Sequence, residues 1–255
     1  MTKPETVLYS VDGRIAKLVL NRPDKKNALN QEMIAELKNG LVRASTEQTI
    51  RAIVITGAGK DFCSGADLSA LKMISQASVS ENVADARSLM DLFNLFREIQ
   101  VPVIAAVKGR ALAGGCGLAS ACDLVLATAS ARFGYPEVNI GFVPALVMAI
   151  LRRNISEKRA FELLTLGAEI GAEEAKAIGL VNQVFADDQF EDAVLAYARR
   201  FEKLSKSAVA LTKTLLYQID GMAFRDALET GLDVNVIARM TEDCRNGIAR
   251  FLAEK

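Results

Sequence analysis

An α/β domain followed by a purely helical region is the fold class this sequence predicts, and three observations carry that expectation. Short β-branched runs alternate with helical patterns over the first two-thirds of the 255 residues. Three of those runs are apolar at every position, as strands covered on both faces would be. From about residue 187 onward, apolar stripes at helical spacing follow one another with no strand between them. The expected division is an α/β unit over 1–190 and a helical region over 191–255.

Taken in order, segment 15–20 alternates around Lys17 and reads as a half-exposed strand, whereas 52–56, 103–107 and 124–127 are continuously apolar and belong inside a sheet. Between them, Met33, Ile34, Leu37 and Leu41 mark one amphipathic helix, and Leu89, Leu92, Phe93 and Phe96 a second. Gly65, Ala66 and Asp67 are expected to open a helix through residue 73, and Gly114 and Gly115 another running to residue 122. In the last quarter, Phe190, Ala193, Val194 and Tyr197 form one stripe. Phe201, Leu204, Ala208, Leu211, Leu215 and Ile219 form a second, and Leu228, Leu232 and Val236 a third. Such helices pack either on their own domain or on another copy of the chain, and a stripe does not say whose surface covers it.

Composition narrows the chemistry. With 51% apolar and 24% charged residues the chain is an ordinary globular protein. Lys plus Arg (31) balances Asp plus Glu (31), so there is no broad basic field and nucleic acid is not an expected partner. Histidine is absent, which removes Ser-His-Asp and Cys-His catalysis and His-ligated metal. Cys63, Cys116, Cys122 and Cys244 form no C-x-x-C pair and are expected to be free thiols in a reducing, cytoplasmic compartment. The longest apolar stretch, 142–151, is about half a bilayer span and contains Pro144, so no membrane role is expected.

The candidate site lies in three turns beside buried-strand patterns: TGAGKDFCSGADL from Thr56, GRALAGGCGLA from Gly109, and FGYPEVNIGFVP from Phe133. None contains a phosphate-binding G-x-x-x-x-G-K-[ST] or a nucleophile elbow. What the first two offer is main chain. Helix starts carry unsatisfied N–H groups, and small residues let a ligand oxygen approach them, so two such turns facing each other would form a two-donor hole for an enolate oxygen. One at a time, these glycines read more readily as tight turns and close helix-to-sheet contacts. The third turn supplies Glu137 among Phe133, Tyr135, Val138, Ile140 and Phe142, where apolar surroundings would raise its pKa and let it both take and give a proton. Its alternative is an exposed loop glutamate. Asp67 and Asp123 read as helix-start and turn residues, and Cys116 and Cys122 as small core residues. Arg22, Lys25 and Lys26 cluster in a Pro-containing turn that could grip a phosphate or simply be solvated.

Together the motifs NRPDKKNALN, SGADL, AGGCGLASACDLVLA, ARFGYPEVNIGFVP and GLVNQV, in this order, make the whole chain similar to the crotonase, or enoyl-CoA hydratase/isomerase, superfamily. The resemblance implies a right-handed spiral of strand-strand-helix turns and carboxy-terminal helices that build a homotrimer or dimer of trimers. It implies an acyl-CoA thioester as substrate, held at its carbonyl by the amides of Ala66 and Gly114, with no metal or redox cofactor. By the same resemblance Ser64, Ala66, Asp67 and Leu68 line the adenine and pantetheine pocket, and Lys25 and Lys26 fall near the nucleotide phosphates. Ala28, Gly115 and Pro136 complete the expected substrate contacts.

One departure bears on the reaction. Family hydratases with two catalytic carboxylates carry one in the second turn, where this chain has Gly117, and one in the third, where it has Glu137. Hydration usually divides its work between two carboxylates, whereas moving a double bond from the 3,4 to the 2,3 position needs one base. Reversible hydration of a 2-enoyl-CoA is the first expectation. Isomerisation by a single carboxylate is the alternative, and a non-catalytic acyl-CoA-binding subunit a remoter one.

Overall fold

In a computed structural model, which describes residues 5–67, 72 and 75–253, the chain forms the expected α/β unit with helices gathered at its carboxy-terminal end. The main sheet has six strands in the order β1-β2-β3-β4-β6-β9: Val7–Asp12, Ile15–Leu20, Ala52–Gly57, Val103–Val107, Leu124–Thr128 and Gln183–Phe185. Strands β1 and β2 form an antiparallel hairpin, with Val7 opposite Leu20 and Asp12 opposite Ile15. Every later pairing is parallel, with Leu18 opposite Ile55, Val54 opposite Ile104, Ala105 opposite Val125 and Ala127 opposite Val184.

A second, three-stranded sheet joins β5 (Arg110–Leu112), β7 (Arg132–Gly134) and β8 (Glu169–Gly171). A bridge from Cys63 to Ala111 extends it by one residue towards the β3 turn. Each passage of the chain therefore leaves the main sheet, adds a short strand or bridge to the small one, and returns through helix. β3 leads to Cys63, β4 to β5, and β6 to β7. This is the strand-strand-helix repeat, and it stacks three successive turns at the ends of β3, β4 and β6.

Strands β3 and β4 are buried at every position because both faces are covered. On the inner face Leu18, Ile53, Ile55, Val103, Ala105 and Val107 pack into the principal core. Helices α1 (Gln31–Thr46), α2 (Val79–Glu98) and α3 (Gly114–Ala121) meet them there through Leu37, Leu41, Phe96 and Leu118. The alternating residues Ala52, Val54, Ile104 and Ala106 point the other way, and Phe190, Val194 and Ala198 from a later helix, Phe190–Ala198, cover them. Helices start where the chain can cap them: Asn30 accepts the Met33 amide before α1, and Ser78 and Glu81 form a reciprocal capping box before α2.

Three helices follow α3 before the outer one: α4 (Ala145–Asn154), α5 (Glu157–Leu166) and α6 (Ala172–Ala177). The outer helix is α7, and α8 (Lys206–Gln218), α9 (Phe224–Met240) and α10 (Glu242–Ala253) complete the chain. Asp123 fastens α8 to the spiral. It accepts the Val103 amide at 2.7 Å, the buried Lys213 ammonium at 2.7 Å and the Tyr217 hydroxyl at 2.6 Å. Beyond that clamp, α9 and α10 bury none of their described side chains. Phe224, Leu228, Leu232, Val236 and Met240 recur every fourth residue along α9 and are all exposed, Phe224 by 80%. The third stripe thus finds no cover among the described residues of its own chain.

Candidate active site

The first turn is stitched to the segment after β2. Asn27, completely buried with a φ of 53°, donates through Nδ2 to the carbonyls of Ala58 at 2.9 Å and Asp61 at 2.8 Å, and its Oδ1 accepts the Arg22 amide. Leu29 N–H donates to Gly65 O at 2.7 Å and Asp67 N–H to Leu29 O at 3.0 Å. In such extended pairing, successive peptide groups face opposite sides. The Ala66 N–H lies between two groups used by Leu29 and points away from them; among the described residues it meets no acceptor. Ala66 is exposed, whereas Gly65 beneath it is buried.

The second turn lies directly against the first. A Cβ on Gly65 would fall 2.7 Å from the Ala113 methyl and 3.4 Å from Gly114 N, so only glycine, here at φ 96°, lets the two turns touch. One residue further on, a Cβ on Gly115 would fall 2.2 Å from Cys63 O. Ala113 sits at φ 51°, ψ −127°, a conformation that costs a non-glycine residue about 1–3 kcal/mol. Its N–H donates to Gly134 O at 2.8 Å, which ties this turn to the third. Gly114 then opens α3 with no side-chain cap, and its N–H has no acceptor among the described residues. Two main-chain donors with no acceptor among the described residues, one from each of two touching turns, therefore stand at the positive end of a helix.

The third turn brings the carboxylate. Tyr135 is completely buried and its hydroxyl lies 3.1 Å from Ser120 Oγ, which donates to Cys116 O at 2.7 Å. This network anchors the start of a 3-10 turn, Pro136–Ile140, that carries Glu137. Oε2 of Glu137 is closed off from solvent and has no hydrogen-bond partner among the described residues. Burial pushes the Glu137 pKa up, opposed only by its own backbone amide. The turn that carries Glu137 follows β7, whose last residue, Gly134, accepts the Ala113 N–H just before the helix start that Gly114 opens. No other side chain here is suited to take a proton. Burial raises the Cys63 and Cys116 thiols to about 12, and it raises Tyr135 as well.

The remaining expected contacts lie around the same turns. Lys25 and Lys26 are exposed on a 3-10 turn, Ser64 and Pro136 are half-buried, and Ala28 and Gly115 are buried. Asp67 is buried and its carboxylate pairs with Arg22, whose other nitrogen donates to Ala28 O at 2.6 Å. Arg22 is thus locked into the turn, and the two lysines are the members of that cluster that face outward. Leu68 and most of the helix expected through residue 73 lie outside the described residues. Among the described residues no group of three or more Cys, Asp or Glu side chains could hold a metal ion.

Two features escaped sequence reasoning. Asn27, which laces the first two segments together, was not singled out beside Arg22, Lys25 and Lys26. The second is at Gly117, one helical turn beyond Gly114 on the same face of α3. A Cβ there would lie 2.1 Å from Val147 Cγ1 and 3.5 Å from Phe93 Cζ, so the position of a second carboxylate is filled by hydrocarbon.

The sequence model of the enoyl-CoA hydratase/isomerase family matches residues 11–255. The chain belongs to that family. A Thermus thermophilus protein carrying a provisional enoyl-CoA hydratase name is 40% identical over 243 residues, which cover 95% of this chain and 96% of that one. The 2,3-dehydroadipyl-CoA hydratase of Escherichia coli K12 is 33% identical over 250 residues, covering 98% of this chain and 96% of the other. Among solved structures, an enoyl-CoA hydratase of Mycobacterium smegmatis superposes with a TM-score of 0.94 at 31% identity, covering 99% and 98% of the two chains. The spiral and its helical end are those of the crotonase fold, and the chain is an enzyme of the hydratase/isomerase kind that acts on acyl-CoA thioesters.

Proposed function

We propose that the chain hydrates a 2-enoyl-CoA reversibly, holding the thioester carbonyl between the Ala66 and Gly114 amides and moving protons with Glu137 alone. The observation that carries this reading is Glu137 Oε2, a buried carboxylate oxygen that has no partner among the described residues, on the turn that Gly134 ties to Ala113 and so to the start of α3. The relatives named as hydratases support the substrate class and the direction of the chemistry. As negative charge develops on the thioester oxygen, the two fixed N–H groups stabilise it, each contributing about 3–4 kcal/mol in a preorganised site. Glu137 accepts a proton from water as its oxygen bonds to C3, and the same carboxylic acid delivers a proton to C2 as the enolate collapses. One water supplies both hydroxyl and hydrogen, and the carboxylate is regenerated.

The other expected contacts follow from where the thioester would sit. Ser64, Ala66 and Asp67 offer the edge along which pantetheine and adenine would lie, Ala28, Gly115 and Pro136 the walls near the thioester, and the exposed Lys25 and Lys26 a place for the nucleotide phosphates; Leu68, expected on the same edge, lies outside the described residues. A second reading, isomerisation of a 3-enoyl-CoA, is favoured by one feature: Val147 over Gly117 leaves no room for a second acid. There Glu137 removes a proton from C2, the electron pair passes into the enolate, and the same proton returns at C4.

The unpartnered row on α9 supports assembly of copies into a trimer or dimer of trimers, and the absence of histidine-based metal or redox chemistry fits an enzyme whose only small-molecule requirement is its acyl-CoA substrate. No helix among the described residues is long and apolar enough to cross a membrane, and the proposed compartment is the cytoplasm. Assaying the purified protein on a 2-enoyl-CoA and a 3-enoyl-CoA tests the proposal. Hydration with little isomerisation supports the first reading and the reverse supports the second. If neither ester is turned over, solvent deuterium exchange at C2 of a saturated acyl-CoA separates an enzyme of different substrate from a subunit that only binds.

A further inference from the structure

We propose that Val147 is a specificity-determining residue: it occupies the space a side chain at position 117 would need, and so confines proton delivery to the Glu137 side of the substrate. This rests on the enolate reading above and adds to it a pair of positions that can change only together. Gly117 is buried in α3, three residues beyond Gly114 and therefore one helical turn along the helix that Gly114 opens. An ideal Cβ at Gly117 would lie 2.1 Å from Val147 Cγ1 and 2.9 Å from Val147 Cβ, against an ordinary carbon contact of about 3.5–4.0 Å.

Rotating the valine about χ1 moves its methyl groups but not its Cβ, so a clash of this size is relieved only by shifting α4. That helix is not free to shift, because Val147 and Leu151 are both buried in the principal core. Phe93 Cζ, 3.5 Å away, closes the other side. A carboxylate placed there would also lose its hydration among hydrocarbon with nothing in exchange. Two arrangements are therefore self-consistent: glycine at 117 under valine, or an acid at 117 under a residue without a Cβ. This chain has the first.

The consequence concerns water. Where the chain would otherwise hold a second polar group over the reacting carbons, it presents valine and phenylalanine, and an apolar wall does not orient water. Protons then reach C2 or C4 only through Glu137, and the ratio of hydration to isomerisation is held down by Val147.

The test compares wild type, Val147→Ala, Gly117→Glu and the double variant Gly117→Glu/Val147→Gly for turnover of 2-enoyl-CoA and 3-enoyl-CoA and for melting temperature. Val147→Ala is expected to raise the hydration-to-isomerisation ratio at least about fivefold, because trimming the valine admits a water beside the carboxylate. Gly117→Glu alone is expected to lose at least about 10 °C or fail to fold, and adding Val147→Gly should recover most of that loss. An unchanged ratio in Val147→Ala, or a Gly117→Glu protein as stable as wild type, would overturn the proposal. If wild type turns over neither ester, the hydratase and isomerase readings fail by themselves. The melting comparison then still decides the coupling of positions 117 and 147, recovery in the double variant sustaining it and no recovery refuting it.

Discussion

Replacing Glu137 with glutamine keeps the shape of the third turn and removes its capacity to carry a proton. General acid–base catalysis contributes about 10²–10⁴ in rate, and the upper part of that range applies when no neighbour can substitute. Here the neighbours are disqualified one by one: Asp67 is paired with Arg22, and the Cys63, Cys116 and Tyr135 protons are held more tightly than in water. The expected loss in kcat is therefore about 10³–10⁴, or about 4–5.5 kcal/mol of transition-state stabilisation, with binding of a CoA ester by calorimetry unchanged within a few-fold. A second readout has the opposite sign. Burial raises the Glu137 pKa in the folded state, so between the unfolded and folded values the native protein binds more protons, and stability falls as pH rises through that window. Below the unfolded value the penalty is absent. Above the folded value it is fully present, so Glu137→Gln is expected to melt higher than wild type at pH 8 and equal to it near pH 4. In wild type, kcat/KM should rise with pH along a limb set by an acid weaker than an ordinary glutamate. Turnover of the variant within tenfold of wild type, or a wild-type limb at the ordinary carboxylate pKa, would refute the assignment.

Other perturbations separate the parts of the site from its supports. Gly114→Pro deletes one main-chain donor at the first residue of a helix, where proline is tolerated, and should cut kcat about 10²–10³-fold; Gly114→Ala, whose Cβ would meet Leu29 at 3.6 Å, should keep it. Gly115→Ala drives a methyl to 2.2 Å from the Cys63 carbonyl and should cost at least about 3 kcal/mol in chemical denaturation. Asp123→Ala leaves the Lys213 ammonium buried with only the Val101 carbonyl, at a cost of about 3–5 kcal/mol, read as a fall of roughly 10 °C in melting temperature. Leu228→Glu with Leu232→Glu places charges in the exposed row of α9; sedimentation should show a smaller species than wild type, and an unchanged one would mean that row covers nothing.

What could be read in advance follows from how each feature writes itself into the residues. Strands β3 and β4 are sandwiched between two cores, so Ile53 and Val54 are both apolar and the run is unmistakable. Strand β1 is an edge with four of its six residues exposed, and Leu8, Ser10 and Asp12 carry no pattern that separates them from a loop. The third carboxy-terminal stripe was legible as a stripe, but whether it would be covered depends on the path of α9, which residue spacing does not encode. At the site, Glu137 stood out because a carboxylate among Phe133, Tyr135 and Val138 is anomalous. The amides of Ala66 and Gly114 could be suspected only from the small residues that make room for them. Asp123 appeared as a turn residue because its partners, Lys213 and Tyr217, lie 90 and 94 positions away.

The same logic explains why the proposed mechanism needs no histidine. A side-chain donor for the thioester oxygen would announce itself by residue type, but it would also need its own positioning and could titrate. A main-chain amide does neither; it needs the backbone fixed and nothing in the way. The cost of fixing it is visible at Ala113, held at φ 51° between the Gly134 carbonyl it donates to and the Gly65 surface its methyl covers. Relaxing Ala113 would swing the peptide that precedes the Gly114 amide, so strain at one residue and the glycine at another are parts of one device. Because Gly65, Gly115 and Gly117 each lie where a Cβ would strike a neighbouring turn or helix, the site is built by subtraction. Its acid had only to arrive from the one turn with room for it.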